Sequence, residues 1–494
     1  MGRAPHLDAE AVARVRDDLA AASYTVDDVQ GALGPVGSAA LNRNETTPGL
    51  RATTGGSALE TLVRLWPLQA AVPLASAQAA LPTSLDVLVA GRLLDREGGE
   101  VRAVVDLRPY ADDAGDWWVC SDLTPGLDGV LSHVPADHVL GVSSASSTLA
   151  QVTVRPEIAR ALDLGTGCGV QSLHLARHAR QVVATDVSDR AVAMAGITAA
   201  LNGITLDLRQ GDLYAPVADE RFDLVVSNPP FVVSPGGRHA YRDSRLVGDE
   251  ISLRVVVEGA RRLTGGGWLQ ALVNWVRPYG RDWRDRIGAW VAATGCDAWV
   301  VEREVLDPAA YVELWQRDSG EVALPDYRER YDRWLGWFEE QDVEGVGFGW
   351  VTLRCVGAGD PAVRLEEWPH AVEQPLGPTV QAGMERAALL RGWDDAALLG
   401  RRLSVAPDVV QEQVGPPGAE HPETVVLRQR RGLMRARQVG TAEAGLVGAC
   451  DGSVPLGVLV DAVAEVLGRD PDALRAELVP HVRELVAEGF LLPA

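Results

Sequence analysis

One short run constrains this chain more than any other: "ARALDLGTGCGVQSLHLA", residues 159–176. An apolar, strand-like segment halts at three alternate glycines, Gly165, Gly167 and Gly169, and a helix-patterned segment begins at once. A strand that turns straight into a helix meets its next parallel partner only after that helix has crossed back over the sheet. The rhythm persists downstream. "QVVATDV", "TLDLRQGD", "FDLVVSN", "WLQALVNWV", "AWVVERE" and "GFGWVTLRCV" are apolar runs, most of them separated by helical stretches such as "SDRAVAMAGITAALN" and "GDEISLRVVVEGARRL". Residues 146–358 are therefore expected to fold as an α/β, Rossmann-like, doubly wound sheet of seven mainly parallel strands, the last closing an edge.

Two zones flank this sheet. In residues 1–145, "SALETLVRLWPLQA", "PLASAQAAL" and "PTSLDVLVAGRLL" read as helices, and "EVRAVVDLRPYADDAGDWWVCSDL" reads as two strands around a polar turn. Helices followed by a hairpin predict a helical, winged-helix-like domain that recognises substrate. Its hairpin carries Asp112, Asp113 and Asp116, the wrong sign for a wing that reads DNA. Residues 359–494 return to helical patterning, broken by a hairpin in "TVVLRQRRGLMRARQV". Helices are expected after caps at Ser453 and Asp470, giving a second winged-helix-like domain.

Composition excludes several classes. No stretch of about 18 residues is free of charge and proline, so no membrane span is expected. The start, "MGRAPHLDAEAVARVRDD", lacks an apolar signal core, and the chain reads as cytoplasmic. Five cysteines lie far apart without a CxxC pair, which argues against a disulfide framework and a zinc ribbon. His174 and His178 share a helical spacing but have no acidic or cysteine partner nearby, so no metal is expected. The formal charge is −22, from 46 basic residues, all arginine, and 68 acidic ones. A protein that coats nucleic acid needs the opposite sign, although a local basic patch is compatible with this total.

The chemistry concentrates at the strand ends. Glycine lets the backbone turn sharply and approach a ligand. An acid about 20 residues on, at the end of the next strand, is placed to hold ribose hydroxyls, and Asp186 stands there. The spacing is GxGxG rather than GxGxxG, and Asp163 precedes it. An acid at the mouth of the loop suits a cationic ligand better than a pyrophosphate. S-adenosyl-L-methionine, a sulfonium with an ammonium and no phosphate, fits that description. Asp212 ends the following strand, where a carboxylate can accept from the adenine amine.

The fourth strand ends in "NPPF", Asn228 to Phe231. Pro229 and Pro230 end the ladder and stiffen the turn. The Asn228 amide oxygen and the Pro229 carbonyl can together accept both hydrogens of a planar –NH2 group, and Phe231 can pack on its face. That arrangement orients a nitrogen lone pair without a strong base.

"DLGTGCG", "ATDVS", "GD" and "NPPF", in this order, resemble the class I S-adenosylmethionine-dependent N-methyltransferases of the small methyltransferase group. That group includes release-factor glutamine methyltransferases of the HemK type and RNA guanine or adenine N-methyltransferases. "NPPFVVSP" is similar to the eukaryotic and archaeal glutamine branch, with Phe231 where that branch has tyrosine and RNA enzymes often have phenylalanine. The three-part layout is similar to that of a group of actinobacterial methyltransferases. The resemblance implies Asn228, Pro229, Pro230 and Phe231 as catalytic residues. It implies Asp163, Gly165, Thr166, Gly167, Gly169, Asp186, Val187, Asp212, Leu213 and Asn228 as the cofactor site. The first reading of the acceptor is a glutamine on a release-factor-like protein. The alternative is an exocyclic base amine in rRNA, tRNA or DNA, with RNA or the ribosome as partner. A third reading is a winged-helix regulator that senses S-adenosylmethionine, for which an acceptor socket would be superfluous.

Overall fold

The alternating apolar runs pair into one eight-stranded sheet. Its strands are β1 (Ile158–Leu164), β2 (Ala179–Asp186), β3 (Asp207–Gln210), β4 (Phe222–Ser227), β5 (Leu263–Pro278), β6 (Asp297–Leu306), β7 (Val343–Arg354) and β8 (Val363–Glu367). Their spatial order is β8-β6-β7-β5-β4-β1-β2-β3. All neighbours are parallel except β7, which runs antiparallel to both β5 and β6. The chain winds outward from β1 through β2 to β3, then returns to the other side of β1 as β4. The order reverses between β1 and β4, and in an open α/β sheet ligands bind at the carboxyl ends beside that reversal.

Two details differ from the sequence expectation. The strand "GFGWVTLRCV" does not close an edge; as β7 it inserts between β5 and β6. Val346, Trp350, Val351 and Leu353 are all buried along it, the mark of a strand covered on both faces. The edge belongs instead to an eighth strand, β8, which lies beyond residue 358 and ends in Glu366 and Glu367. A short edge strand with charged side chains resists pairing with other chains.

The structure is a computed structural model describing residues 4–494 apart from 131–133, 136, 236–246, 319, 321, 323, 358–359 and 418–421. It forms two compact units: residues 1–150 with 156–368, and residues 151–155 with 369–494. Among the described residues no helix is long and apolar enough to cross a membrane.

In the first unit, the helices Ala58–Leu65, Leu74–Ala80 and Leu85–Ala90 lie against a small sheet of Val72–Pro73, Glu100–Ala103 and Leu94–Glu97, in that spatial order. The hairpin of this module is therefore 94–103, turning at Gly98 and Gly99. The acidic segment read as its wing is a separate hairpin, Asp106–Asp112 with Gly115–Ser121. It docks on the helices that follow β1 and β2. Asn202 accepts from Trp118 N at 3.0 Å, Thr198 Oγ1 accepts from Cys120 N at 3.0 Å, and Arg177 pairs with Asp112 at 2.6 Å. His174 meets the Tyr110 hydroxyl at 2.9 Å, and His178 Nδ1 lies 2.9 Å from the Pro156 carbonyl. One apolar core runs from Val15, Leu62 and Trp66 through Val119 and Cys120 to Cys168, Leu173, Met194 and Leu201.

The second unit has its own core, including Leu446, Leu456, Val460, Leu478, Leu485 and Phe490. Asp470 caps the helix Pro471–Glu488, accepting from Ala473 N at 2.8 Å. Ser453 caps nothing; it lies in the strand Asp451–Pro455, and the helix begins only at Leu456. The hairpin read from the sequence is present as Thr424–Gln429 with Ala436–Val439, and Val409–Val414 adds a third strand.

Candidate functional site

Four strand ends meet in register at the reversal. Leu164 of β1 pairs with Thr185 of β2 and with Ser227 of β4, and Asp186 pairs with Gln210 of β3. The residues one step beyond these pairs are Gly165, Asn228 and Gly211. The sheet thus brings the glycine loop, Asp186, the Gly211–Leu213 corner and the "NPPF" turn to one edge, from elements scattered over some sixty residues of sequence.

The loop is rigid and open. Gly165, Gly167 and Gly169 have φ of 75°, 54° and 85°, the left-handed region that glycine tolerates best. At Gly169 the helix Val170–Leu175 begins, and a Cβ there would come within 3.2 Å of Ala195 Cα. At Gly165 and Gly167 a Cβ would meet nothing within 4 Å, so the loop turns a bare backbone toward free space. Four of its five amides are already used. Gly165 N and Thr166 N both donate to the Thr185 carbonyl at 2.9 Å, and Gly169 N donates to the Thr166 carbonyl at 2.8 Å. Gly167 N donates to Asp186 Oδ2 at 3.0 Å. A pyrophosphate would need those N–H groups and would face the Asp186 carboxylate, so the loop suits a nucleoside without phosphate.

The acids divide their labour. Asp163 is buried beneath the loop, where its Oδ2 accepts from Thr166 Oγ1 at 2.7 Å and from Ser172 Oγ at 2.6 Å. Burial raises its pKa to about 6, against the lowering effect of those hydroxyls. Its observed contacts tie the loop to the following helix. Asp186 accepts one N–H on each oxygen, from Gly167 and from Ser188 at 2.9 Å. A carboxylate has about four acceptor positions, so two remain for hydroxyls. Burial raises the pKa of Asp186 as well, opposed by these backbone donors. Asp212 is exposed, and its carbonyl accepts from Ala215 N at 3.0 Å. Next to the two acids stand Val187, 54% exposed, and Leu213, whose φ of 45° is unusual for a branched side chain. A backbone held in the sparsely populated left-handed region, as at Leu213, is the kind of strain that clusters at ligand sites.

Asn228 carries the most direct signal. Its Oδ1 is buried and has no hydrogen-bond partner among the described residues. An unanswered buried carbonyl costs about 1–3 kcal/mol, a debt that a bound donor cancels. Pro229 behind it is buried, and Pro230 and Phe231 are half-buried.

The turn is held by a layer that sequence reading missed. The helices Pro308–Asp318 and Tyr327–Glu340, inserted between β6 and β7, cover residues 231–234. Tyr311 Oη accepts from Val233 N at 2.8 Å, Trp334 Nε1 donates to the Val233 carbonyl at 3.1 Å, and Asn274 Nδ2 donates to Tyr311 Oη at 3.2 Å. Trp315 meets the Phe231 ring edge-on, with centroids 6.2 Å apart. The signal was the aromatic spacing of "YVELW" and "RYDRWLGWF", which places bulky rings on one helix face.

Residues 128–294 match the family described as the methyltransferase small domain. Residues 21–104 and 381–493 match two domains of unknown function, DUF7059 and DUF7782. Ribosomal RNA small subunit methyltransferase C of Alcanivorax borkumensis is 37% identical over 120 residues, covering 24% of this chain and 34% of that protein. The release factor glutamine methyltransferase of Xylella fastidiosa is 38% identical over 129 residues, covering 24% and 47%. Ribosomal RNA small subunit methyltransferase C of Escherichia coli is 28% identical over 249 residues, covering 44% and 68%. The chain spans less than half the length of the first two. The likeness to the methyltransferase small domain thus covers residues 128–294, the stretch that holds the glycine loop, Asp186 and the "NPPF" turn.

Proposed function

We propose that this chain transfers a methyl group from S-adenosyl-L-methionine to the nitrogen of a planar –NH2 group. The observation that carries the reading is the buried, unanswered Oδ1 of Asn228, one residue past the strand paired with the glycine-loop strand. The cofactor supplies an electrophilic methyl on a sulfonium centre. Asp186 keeps acceptor positions for ribose hydroxyls, Val187 and Leu213 offer an apolar flank for adenine, and the exposed Asp212 carboxylate would accept from its amine. The ligand has no phosphate to conflict with the occupied loop amides. Asn228 Oδ1 and the Pro229 carbonyl hold the two hydrogens of the acceptor, and the Phe231 ring lies against its plane. The nitrogen lone pair is then turned toward the methyl group, and after transfer the nitrogen loses its extra proton to water. Orientation supplies the rate, because an exposed planar amine in solution rarely meets the methyl in line.

Two acceptors share this geometry: a glutamine amide on a release-factor-like protein, and an exocyclic amine of a nucleic-acid base. Support for both comes from the relatives' names, release factor glutamine for the Xylella protein and ribosomal RNA for the Alcanivorax protein. Calorimetry with S-adenosylmethionine and its demethylated product tests the cofactor; absence of binding in the folded chain overturns the reading. Tritium-labelled methyl transfer into fractionated cell extract tests the acceptor. Label removed by protease selects the glutamine, and label removed by nuclease selects the base.

A further inference from the structure

We propose that the arginine-rich turn of the second unit is an RNA-contacting surface, on which Arg430 and Arg431 bind phosphodiester oxygens. Residues 428–437, "RQRRGLMRAR", hold five arginines and no acid, in a chain with 46 basic and 68 acidic residues. Three of the five have structural places. Arg428 makes a two-armed pair with Glu412 at 2.6 and 3.0 Å, Arg437 reaches Glu484 at 2.5 Å with Glu443 and Glu488 close by, and Arg435 is buried. Arg430 and Arg431 are exposed, and neither side chain makes an ion pair or hydrogen bond among the described residues. Glu412 attracts Arg430 only at longer range and is already held by Arg428.

The turn that carries them is built, not slack. Gln429 N donates to the Arg435 carbonyl at 2.8 Å, Arg430 N to the Asp408 carbonyl at 3.0 Å, and Met434 N to the Arg431 carbonyl at 3.0 Å. Glu373 clasps Gly432 from both sides, its N–H on the Gly432 carbonyl at 2.8 Å and its Oε2 accepting from Gly432 N at 3.1 Å. Gly432 has φ of 61°, and a Cβ there would sit 2.4 Å from Thr379 Oγ1. Beside the arginines Met434 stands 40% exposed with φ of 53°. A rigid turn that presents two guanidiniums with an apolar side chain between pairing strands matches a phosphate backbone with accessible base faces. Charge complementarity selects a polyanion. The choice of RNA rests on the base-amine form of the proposed function, but its test does not use methyl transfer.

The experiment measures binding of the full chain to a labelled single-stranded RNA by fluorescence anisotropy over a salt series. Affinity is expected to fall linearly with log salt. In the Arg430→Ala/Arg431→Ala double variant the slope should shrink by about 1.4, two phosphate contacts at roughly 0.7 each. An equal charge change in the N-terminal region, Arg43→Ala/Arg51→Ala, should leave the slope as it is. S-adenosylmethionine affinity and the thermal midpoint of the double variant should be unchanged, which separates this outcome from misfolding and from failure of the cofactor reading. No RNA binding at low salt, or an unaltered slope in the double variant, overturns the proposal. So does arginine-dependent binding to an acidic peptide without binding to RNA.

Discussion

Asn228 and Asp163 show two ways in which a polar side chain at a strand end is used. The Asn228 oxygen is buried without a donor, whereas the Asp163 carboxylate is consumed by Thr166 and Ser172. Asn228→Ala should therefore leave S-adenosylmethionine affinity nearly unchanged and lower the methyl-transfer rate on the order of 100- to 1000-fold, the effect of losing one preorganised polar group at the reacting centre. Single-turnover kinetics on the identified acceptor measure it; full turnover would return "NPPF" to a stiff turn. For Asp163 the expected signature lies in stability. Its folded pKa of about 6 lies above the unfolded value of about 3.9. Between these values the folded state keeps a proton that the unfolded state has released. Its contribution is thus greatest at low pH and is lost as pH rises through about 6. Urea unfolding from about pH 4 to pH 7 should show a smaller decline for Asp163→Asn than for the natural chain. Comparing the two cancels other buried acids such as Asp106 and Glu302.

At the scale of elements, the helical pair 308–340 acts as a brace for the turn. Val233 is gripped at both its N–H and its carbonyl, by Tyr311 and Trp334. Tyr311→Phe keeps the ring packing against Phe338 and Phe348 but leaves the buried Val233 N–H without its acceptor. That should cost about 1–3 kcal/mol of stability. It should also loosen the position of Asn228, lowering methyl transfer while cofactor affinity holds. Chemical unfolding and calorimetry on the same variant separate these effects; a drop in cofactor affinity equal to the drop in rate would show that the brace serves the loop instead. The same scale explains β7. Two of its three glycines, Gly347 and Gly349, lie where Trp275 of β5 crosses, with an added Cβ within 2.5 and 2.7 Å of that indole. A strand between two neighbours needs this room, and an edge strand would not.

For the whole molecule, the consequence lies in the first unit. The core containing Trp66, Val119 and Leu107 continues into Leu173, Met194 and Leu201 on the helices behind β1 and β2. A fragment of residues 156–368 would bare that face of the helices and leave Thr198 and Asn202 without the hairpin backbone they bond. We expect it to aggregate or melt well below the full chain, while residues 1–368 fold and bind S-adenosylmethionine. Thermal melts of both fragments check this; a soluble 156–368 fragment that melts like the longer one would show the sheet to be self-sufficient.

The sequence by itself determined the α/β class, the glycine loop after the first strand of the sheet, and the acid at the end of the second. These depend on local patterns: a period of two or 3.6, and glycine where φ must be positive. Asp186 at a strand end was legible because the spacing of a strand–helix–strand unit is set by short-range geometry. Only the tertiary structure decided the rest. Whether "GFGWVTLRCV" lies at an edge or inside the sheet depends on what covers its second face, and an apolar run reads alike in both places. The acidic hairpin 106–121 is a hairpin in either reading, but its partner, the helix Asp189–Leu201, is some seventy residues away. The brace at Tyr311 and Trp334 depends on two side chains reaching Val233 across 78 and 101 residues of chain. Such contacts follow from how elements pack in three dimensions, and local periodicity carries no record of them.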